Sequence, residues 1–380
     1  MHIIKKTYIG FLFCIISFTA YSINNTDSLK NLLKTNKEDS SKIRIYQELA
    51  HATFNQSPQQ SFSYIRKAKD LAHKTNNTEQ LAYCYFNLGK LYHKIAEYDS
   101  AKYFYNEASH INSNTNLQTR IFDNTGVLFR DIGSYSSALL FHKQSLRLKE
   151  TLGDRSGVAN SYKNIGNVYY YQHAYSKALE NYNKALEIQK KNTNKLSIAS
   201  LLNNIGDTYR HLQKYDKAIA SYNKALSIQE EIGNKKIIAN TLHHIGNFYF
   251  HMKIYDKAQE FYSKALTIRK DLGNKNDIAA SRFNIATVHR DLGNYKNALE
   301  YYTTALDLRR QTKNKVAEAL TLSAIAGVHK LNNEFPKAIS FYEQALTMQQ
   351  KLGSREDIAA LYERIGITYK DTLLFNKAQE

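Results

Sequence analysis

Apolar residues recur along this chain at steps of three and four, and the pattern itself returns every forty residues. Ile198, Leu201, Leu202, Ile205, Tyr209 and Leu212 fall on one face of a helix at 100° per residue. After a short polar break, Tyr215, Ala218, Ile219, Tyr222, Ala225, Leu226 and Ile228 do the same. The spacing predicts two helices back to back. A small residue marks each copy of the pair: Gly89, Gly126, Gly166, Gly206, Gly246, Ala286, Ala326 and Gly366, spaced 37 and then 40 six times. Nine residues after each marker comes an aromatic, from Tyr98 and Tyr135 to Phe335 and Phe375, and three further on an alanine, from Ala101 to Ala378. Seven beyond that stand Ala108, Ser145, Ala185, Ala225, Ala265, Ala305 and Ala345. A period in this range means a solenoid or array. In the same frame Ala68 and Leu49 indicate a divergent first repeat over about residues 42–75.

The punctuation agrees with helical hairpins. Gly153, Gly233, Gly273 and Gly353 directly follow helical runs, where a glycine can close a helix in the left-handed conformation. Pro336 falls in the opening turn of its helix, where no helical bond is lost. Small side chains at the markers let two helices approach closely.

These residues resemble the tetratricopeptide repeats over roughly 42–380: the Gly/Ala marker, the aromatic opening the second helix, and the two alanines seven apart. The chain departs from the commonest pattern in having no Trp, no closing proline, and a period of 40 rather than 34. The longer repeat is similar to the subclass found in the Pins spindle-orientation scaffold, kinesin light chains and bacterial sensor proteins. The resemblance implies an all-α, right-handed superhelix of about eight and a half hairpins that binds proteins or peptides and is not an enzyme. No nucleophile signature, phosphate loop or HExxH occurs in the repeats, and no cofactor is expected.

Residues 1–22, MHIIKKTYIGFLFCIISFTAYS, combine Lys5 and Lys6, a short apolar run, and small residues at Ala20 and Ser22, the layout of a signal peptide. An uncleaved anchor is the alternative, although the run is short for a span. Export, to a periplasmic or membrane-associated location, is the expectation. Cys84 would then be the one cysteine of the mature chain, which excludes an internal disulfide. Residues 23–41 are polar and read as a linker with a short helical turn. At the other end DTLLFNKAQE reads as a turn into a last second helix that is cut short. The chain could therefore be the input half of a longer membrane signalling protein, such as a histidine kinase or transcriptional regulator.

The net charge is +18, which favours acidic partners. Lys177 and Lys184, Lys217 and Lys224, and Lys257 and Lys264 repeat on the second helices. They are either solvated lysines or a convex stripe for a polyanion, and no groove-reading motif supports nucleic acid. The resemblance places the first helices on the concave side. That puts Asn87, Asn124, Asn164, Asn204, His244 and Asn284, two before the marker, in the groove, with Lys90, Asn167, Asp207 and Asn247 one after it. Asparagine carries an acceptor and two donors, so the ladder could hold an extended peptide by its main chain, or bond between neighbouring repeats. Lys94, Arg130, Lys163, Arg210, His211, His243, His251 and Arg290 surround it, against Asp123, Asp131, Asp207 and Asp291. A net-positive groove suited to an acidic peptide or a free C-terminal carboxylate is expected. His243 and His244 point about 100° apart on a helix, which speaks for hydrogen bonding rather than metal.

Overall fold

The computed structural model describes residues 24–36, 38–54, 57–352 and 355–379; the expected leader at 1–22 lies outside them. The chain is an all-α solenoid. A leading helix α1 (Asn24–Thr35) is followed by the first hairpin, α2 (Asp39–Thr53) and α3 (Pro58–Lys74). Seven further hairpins have first helices α4 (Thr78–Lys94), α6 (Thr115–Asp131), α8 (Arg155–Tyr171), α10 (Lys195–His211), α12 (Lys235–His251), α14 (Lys275–Asp291) and α16 (Lys315–Leu331). Their second helices are α5 (Tyr98–Ile111), α7 (Tyr135–Thr151), α9 (Tyr175–Lys191), α11 (Tyr215–Ile232), α13 (Tyr255–Leu272), α15 (Tyr295–Gln311) and α17 (Phe335–Leu352). A single long helix, α18 (Arg355–Gln379), ends the described chain.

The marker glycine has a concrete partner. A Cβ added at Gly206 would lie 2.5 Å from the ring of Tyr222, and at Gly89, Gly166 and Gly246 the same conflict arises with Tyr105, Tyr182 and Tyr262. The ring of the second helix thus lies on the bare backbone of the first, buried to within 2 % exposure. At Gly126 the place of the tyrosine is taken by His142. The alanines Ala218, Ala225 and their equivalents are fully buried beside it.

Two kinds of turn connect the helices. Within hairpins one residue takes a left-handed backbone: Ala96, Gly133, His173, Gln213, Lys253, Gly293 and Asn333, always seven after the marker. Between hairpins an asparagine or aspartate caps the next helix. Asn77, Asn114, Asp154, Asn194, Asn234, Asn274 and Asn314 each accept a backbone N–H of the first turn through the side chain, which satisfies a donor that the helix leaves open.

Two boundaries differ from the sequence reading. The segment 23–41 is not a linker with one helical turn: α1 runs for three turns, and Leu29 and Leu33 pack on Ile45 and Leu49. Two leucines four apart in a polar stretch suffice to dock it. The expected break before Phe375 is absent too, because α18 continues through it. Leu373 stands where the other hairpins have their left-handed residue. Along α18, Tyr362, Tyr369 and Leu373 are at least half exposed.

First helices of successive repeats touch one another (α2–α4, α4–α6, α6–α8, α10–α12) in addition to their hairpin partners. They form the inner wall, and the array curls around them. It curls far enough for the chain to meet itself: Lys315 Nζ, at the start of α16, lies 2.7 Å from the carboxylate of Glu97, before α5. Among the described residues no helix is long and apolar enough to cross a membrane.

Since Tyr222 covers Gly206 without room for a methyl group, Gly206→Leu is expected to destabilise the fold by at least about 1–3 kcal/mol. Repeats touch only their neighbours, so hydrogen exchange should rise across residues 160–270 and stay unchanged near α3 and α16; a uniform rise, or none, would contradict this packing.

Candidate functional site

The inner wall is built from the turns of the first helices around the markers. Here the asparagine ladder is a zipper between repeats. Asn204 donates to Asn167 Oδ1 at 3.1 Å, and Asn284 donates to Asn247 Oδ1 at 3.2 Å. Between them His244 Nδ1 sits 2.7 Å from Asp207 Oδ2. Each acceptor is shared: Tyr182, Tyr222 and Tyr262 donate their hydroxyls to Asn167, Asp207 and Asn247 at 2.6–2.7 Å. The tyrosine that covers the marker of its own hairpin therefore also fixes the residue that receives the next repeat. Of the two roles open to these asparagines, the bond between repeats is the one formed at Asn204 and Asn284.

The zipper stops towards the N-terminus, for a reason visible in the side chains. By repeat register the position opposite Asn164 is Val127 and that opposite Asn124 is Lys90; neither side chain carries an acceptor oxygen. Asn124 turns back to the carbonyl of Arg120 at 2.8 Å. Tyr105, whose acceptor position is held by Lys90, has a buried hydroxyl without a partner.

The basic rim differs from expectation. Arg130 is paired with Asp131 at 2.6 Å and Arg290 with Asp291 at 2.7 Å, so sequence neighbours neutralise both. Arg210 donates to His211 Nε2 at 2.9 Å and lies near Asp207. Burial raises the Asp207 carboxyl, but His244, Tyr222 and Arg210 together hold it below the usual range. Lys163 is lowered by burial, beside Asp123 and Lys149. Asp123, Asp131, Asp207 and Asp291 each have a basic side chain beside them.

Positive charge collects instead at the N-terminal end of the wall. Lys94 lies over the ring of Phe54 at 4.5 Å, while Lys90 and Arg120 both approach Phe86, at 5.5 and 5.0 Å. Aromatic faces orient these cations without cancelling them. Burial lowers Lys90, and Lys94 and Arg120 lower it further; Lys94 is lowered by burial and then by Lys236 of α12. His51 is lowered by burial, Lys90 and Lys94. A small cleft between Gln47, His51, Phe54, Asn87, Lys90 and Lys94 opens here. Sequence reading named Asn87 and Lys90 and missed that they belong to a cation cluster, since only the curl brings Lys236 near.

Other side chains went unnoticed because they are charged yet buried. Lys149, 6 % exposed, bonds Asp123 Oδ2 at 2.5 Å and Ser161 of the next repeat at 3.1 Å. Arg269 and Arg309, at the same place in later repeats, reach Ser281 and Thr321. The lysines of the second helices behave as surface side chains: Lys177, Lys217 and Lys257 lie over Tyr169, Tyr209 and Tyr249 at 5.1–5.8 Å. Among the described residues no group of three or more His, Cys, Asp and Glu could hold a metal.

Three family models, each described as tetratricopeptide repeat, match the chain: one over residues 126–191, 197–271 and 237–311, one over 283–352 and one over 82–115. The chain belongs to the tetratricopeptide repeat family. No curated protein matches it. Among solved structures it is similar to a Rap protein complexed with Competence and Sporulation Factor, at 14% identity and TM-score 0.56, over 89% of this chain and 99% of that one. It is also similar to apo RapI, at 20% identity and TM-score 0.55, over 71% and 98%. A third likeness is to a signal transduction ATPase with a tetratricopeptide repeat sensor from Pyrococcus horikoshii, at 16% identity and TM-score 0.50. That match covers 90% of this chain and about half of that protein, 54%. At such identities the likeness is one of fold.

The zipper predicts a contrast. Asn167→Ala strips an acceptor from both Tyr182 and Asn204, so it should cost about 1–3 kcal/mol, whereas Asn164→Ala should leave the melting temperature nearly unchanged. Equal losses would show that the interrupted ladder carries no weight. Acid should probe the same wall. Burial, Arg269 and His244 push His243 down to about 3, against about 6.5 in an unfolded chain. Its contribution is complete above pH 6.5 and is lost as pH falls, because the unfolded chain takes up the proton first. By pH 5 the loss should reach about 2 kcal/mol. His243→Asn should flatten the melting profile between pH 6.5 and 5; an unchanged slope would assign the effect elsewhere.

Proposed function

We propose that this chain is a non-catalytic protein-binding scaffold whose concave wall takes an extended, acidic segment of a partner at its N-terminal half. The observation that carries this reading is the cluster of Lys90, Lys94 and Arg120, held by phenylalanine rings and not by carboxylates, beside Asn87. An acidic segment there would relieve mutual repulsion between the cations as well as form charge-assisted hydrogen bonds. Asn124 and Asn164, outside the zipper, are the amides best placed to meet its main chain. The Rap protein solved in complex with Competence and Sporulation Factor is a solenoid of similar extent that accommodates a binding partner.

Asn167, Asp207 and Asn247 are each taken up by a tyrosine and by the next repeat, which supports placing recognition N-terminal to them, near α2–α8. In this reading Asn204, His244, Asn247, Asn284, Arg130, Arg210 and Arg290 shape the wall, and Lys163 borders it. The leader-like sequence of residues 1–22 supports export, so the partner would be met outside the cytoplasm or at a membrane. The likeness to a protein with a repeat sensor agrees with a second reading, in which the same recognition is the input of a longer signalling chain.

A fluorescein-labelled hexaglutamate peptide provides the test. It should bind the wild-type chain at low ionic strength and weaken with salt as screening sets in, and Lys90→Gln with Lys94→Gln should reduce affinity by about tenfold or more. The double variant should also melt slightly higher, because like charges are removed. A variant that binds as the wild type does would overturn the placement; a wild type that ignores hexaglutamate would overturn the preference for acidic partners.

A further inference from the structure

The cleft where the superhelix meets itself has no part in that reading. It is a cavity of about 450 Å³ between α3 and the joint preceding α16, lined by Phe62, Arg66, Lys67 and Asp70, by Tyr92 of α4, and by Lys313 from nearly a full turn later. The rings of Phe62 and Tyr92, 4.9 Å apart, bring an aromatic surface to it. Asp70 is already matched by Lys69 at 3.7 Å. Arg66, Lys67 and Lys313 take part in no ion pair among the described residues. Like charges from two turns therefore face one cavity. Beside it the turns also meet at Glu97–Lys315, with both side chains 46% exposed, and an exposed pair of this kind is weak and screened by salt.

The backbone of Lys313 is left-handed, φ 54°, at a joint position held by Gly153, Gly233 and Gly273 and by Asn76 and Thr193 in other repeats. Here the side chain supplies the one cation that the later turn presents to the cavity.

We propose that this inter-turn cleft binds a small multivalent oxyanion, and that the bound anion bridges Arg66 and Lys67 on one turn to Lys313 on the other, holding the superhelix closed. Arginine offers paired donors to such an oxyanion, and lysine a point charge. Occupancy converts a repulsive seam into a shared salt link. The site is separate from the concave wall, so its ligand and an acidic partner do not compete for the same cations.

The test uses the full chain with tripolyphosphate and, in a parallel arm, citrate, each followed by titration calorimetry and small-angle scattering. One molecule of tripolyphosphate per chain should bind at low ionic strength and reduce the radius of gyration. Arg66→Gln with Lys67→Gln, and separately Lys313→Gly, should weaken binding by about tenfold or more and abolish the compaction. Lys313→Gly serves as a second variant because glycine suits that backbone, so its melting temperature should hold or rise. Lys90→Gln with Lys94→Gln should leave anion binding intact, which separates this site from the proposed peptide groove. Preference for tripolyphosphate would identify a phosphorylated ligand, and equal binding of citrate a multivalent oxyanion of either kind. The proposal is overturned if neither anion binds, if the cleft variants bind as the wild type does, or if Lys177→Gln with Lys184→Gln on the outer face weakens binding as much, since that would mean diffuse attraction.

Discussion

Four hairpins of this solenoid are closed by a tyrosine ring lying on a glycine. Within a hairpin, the missing side chain at Gly166, Gly206 or Gly246 lets the ring of Tyr182, Tyr222 or Tyr262 rest on helix backbone, which sets how closely the two helices pack. The hydroxyl at the far edge of the same ring then bonds Asn167, Asp207 or Asn247, and that residue receives the next repeat. One side chain thus couples packing inside a repeat to registry between repeats. A buried hydroxyl without an acceptor costs about 1–3 kcal/mol, so the identity of the residue after the marker is constrained by a tyrosine fifteen positions further on.

This coupling explains why so much of the fold could be read from the chain and why the site could not. Period, helix type and the start of each second helix follow from local spacing; the aromatic residues from Tyr98 to Phe335 open α5 to α17 as expected. The joint asparagines could also have been recognised, since Asn194, Asn234, Asn274 and Asn314 recur every forty residues directly before a helix. The roles of Asn204 and Asn284 could not, because a side chain two residues before a marker gives no indication of what the preceding repeat offers it. The ladder looks continuous in sequence and is interrupted in space at Val127 and Lys90, where the partner lacks an acceptor. The termini were misread for a similar reason. Leu29 and Leu33 are too few to signal an amphipathic helix until Leu49 is there to meet them.

Charge illustrates the limit of counting. The chain carries an excess of cations, yet along most of the inner wall they are matched locally, Arg130 by Asp131 and Arg290 by Asp291. Others are withdrawn from the surface altogether, as Lys149, Arg269 and Arg309 are, each fastened to a hydroxyl of the next repeat. Buried cations like these favour one neighbour over another more than they add stability, because desolvation offsets much of the attraction. Among the cations that no carboxylate pairs, two groups line clefts, the ring-held cluster around Lys90 and the residues around Arg66. Net charge alone would have spread the attraction over the whole array.

Both places share α4. Lys90 and Lys94 project from it towards the inner wall, Tyr92 lies at the inter-turn cleft, and Glu97 follows directly after its end. Neighbouring side chains on one rigid helix therefore belong to two different surfaces, one formed by curvature within a turn and the other by contact between turns. A solenoid transmits displacement through nearest neighbours, so a change in curl alters the distance from Lys94 to Lys236 as well as that from Glu97 to Lys315. The spacing of the inner cations and the closure of the turn are then two readings of one geometric variable, and through the middle repeats that variable is set by Tyr182, Tyr222 and Tyr262, which join one repeat to the next.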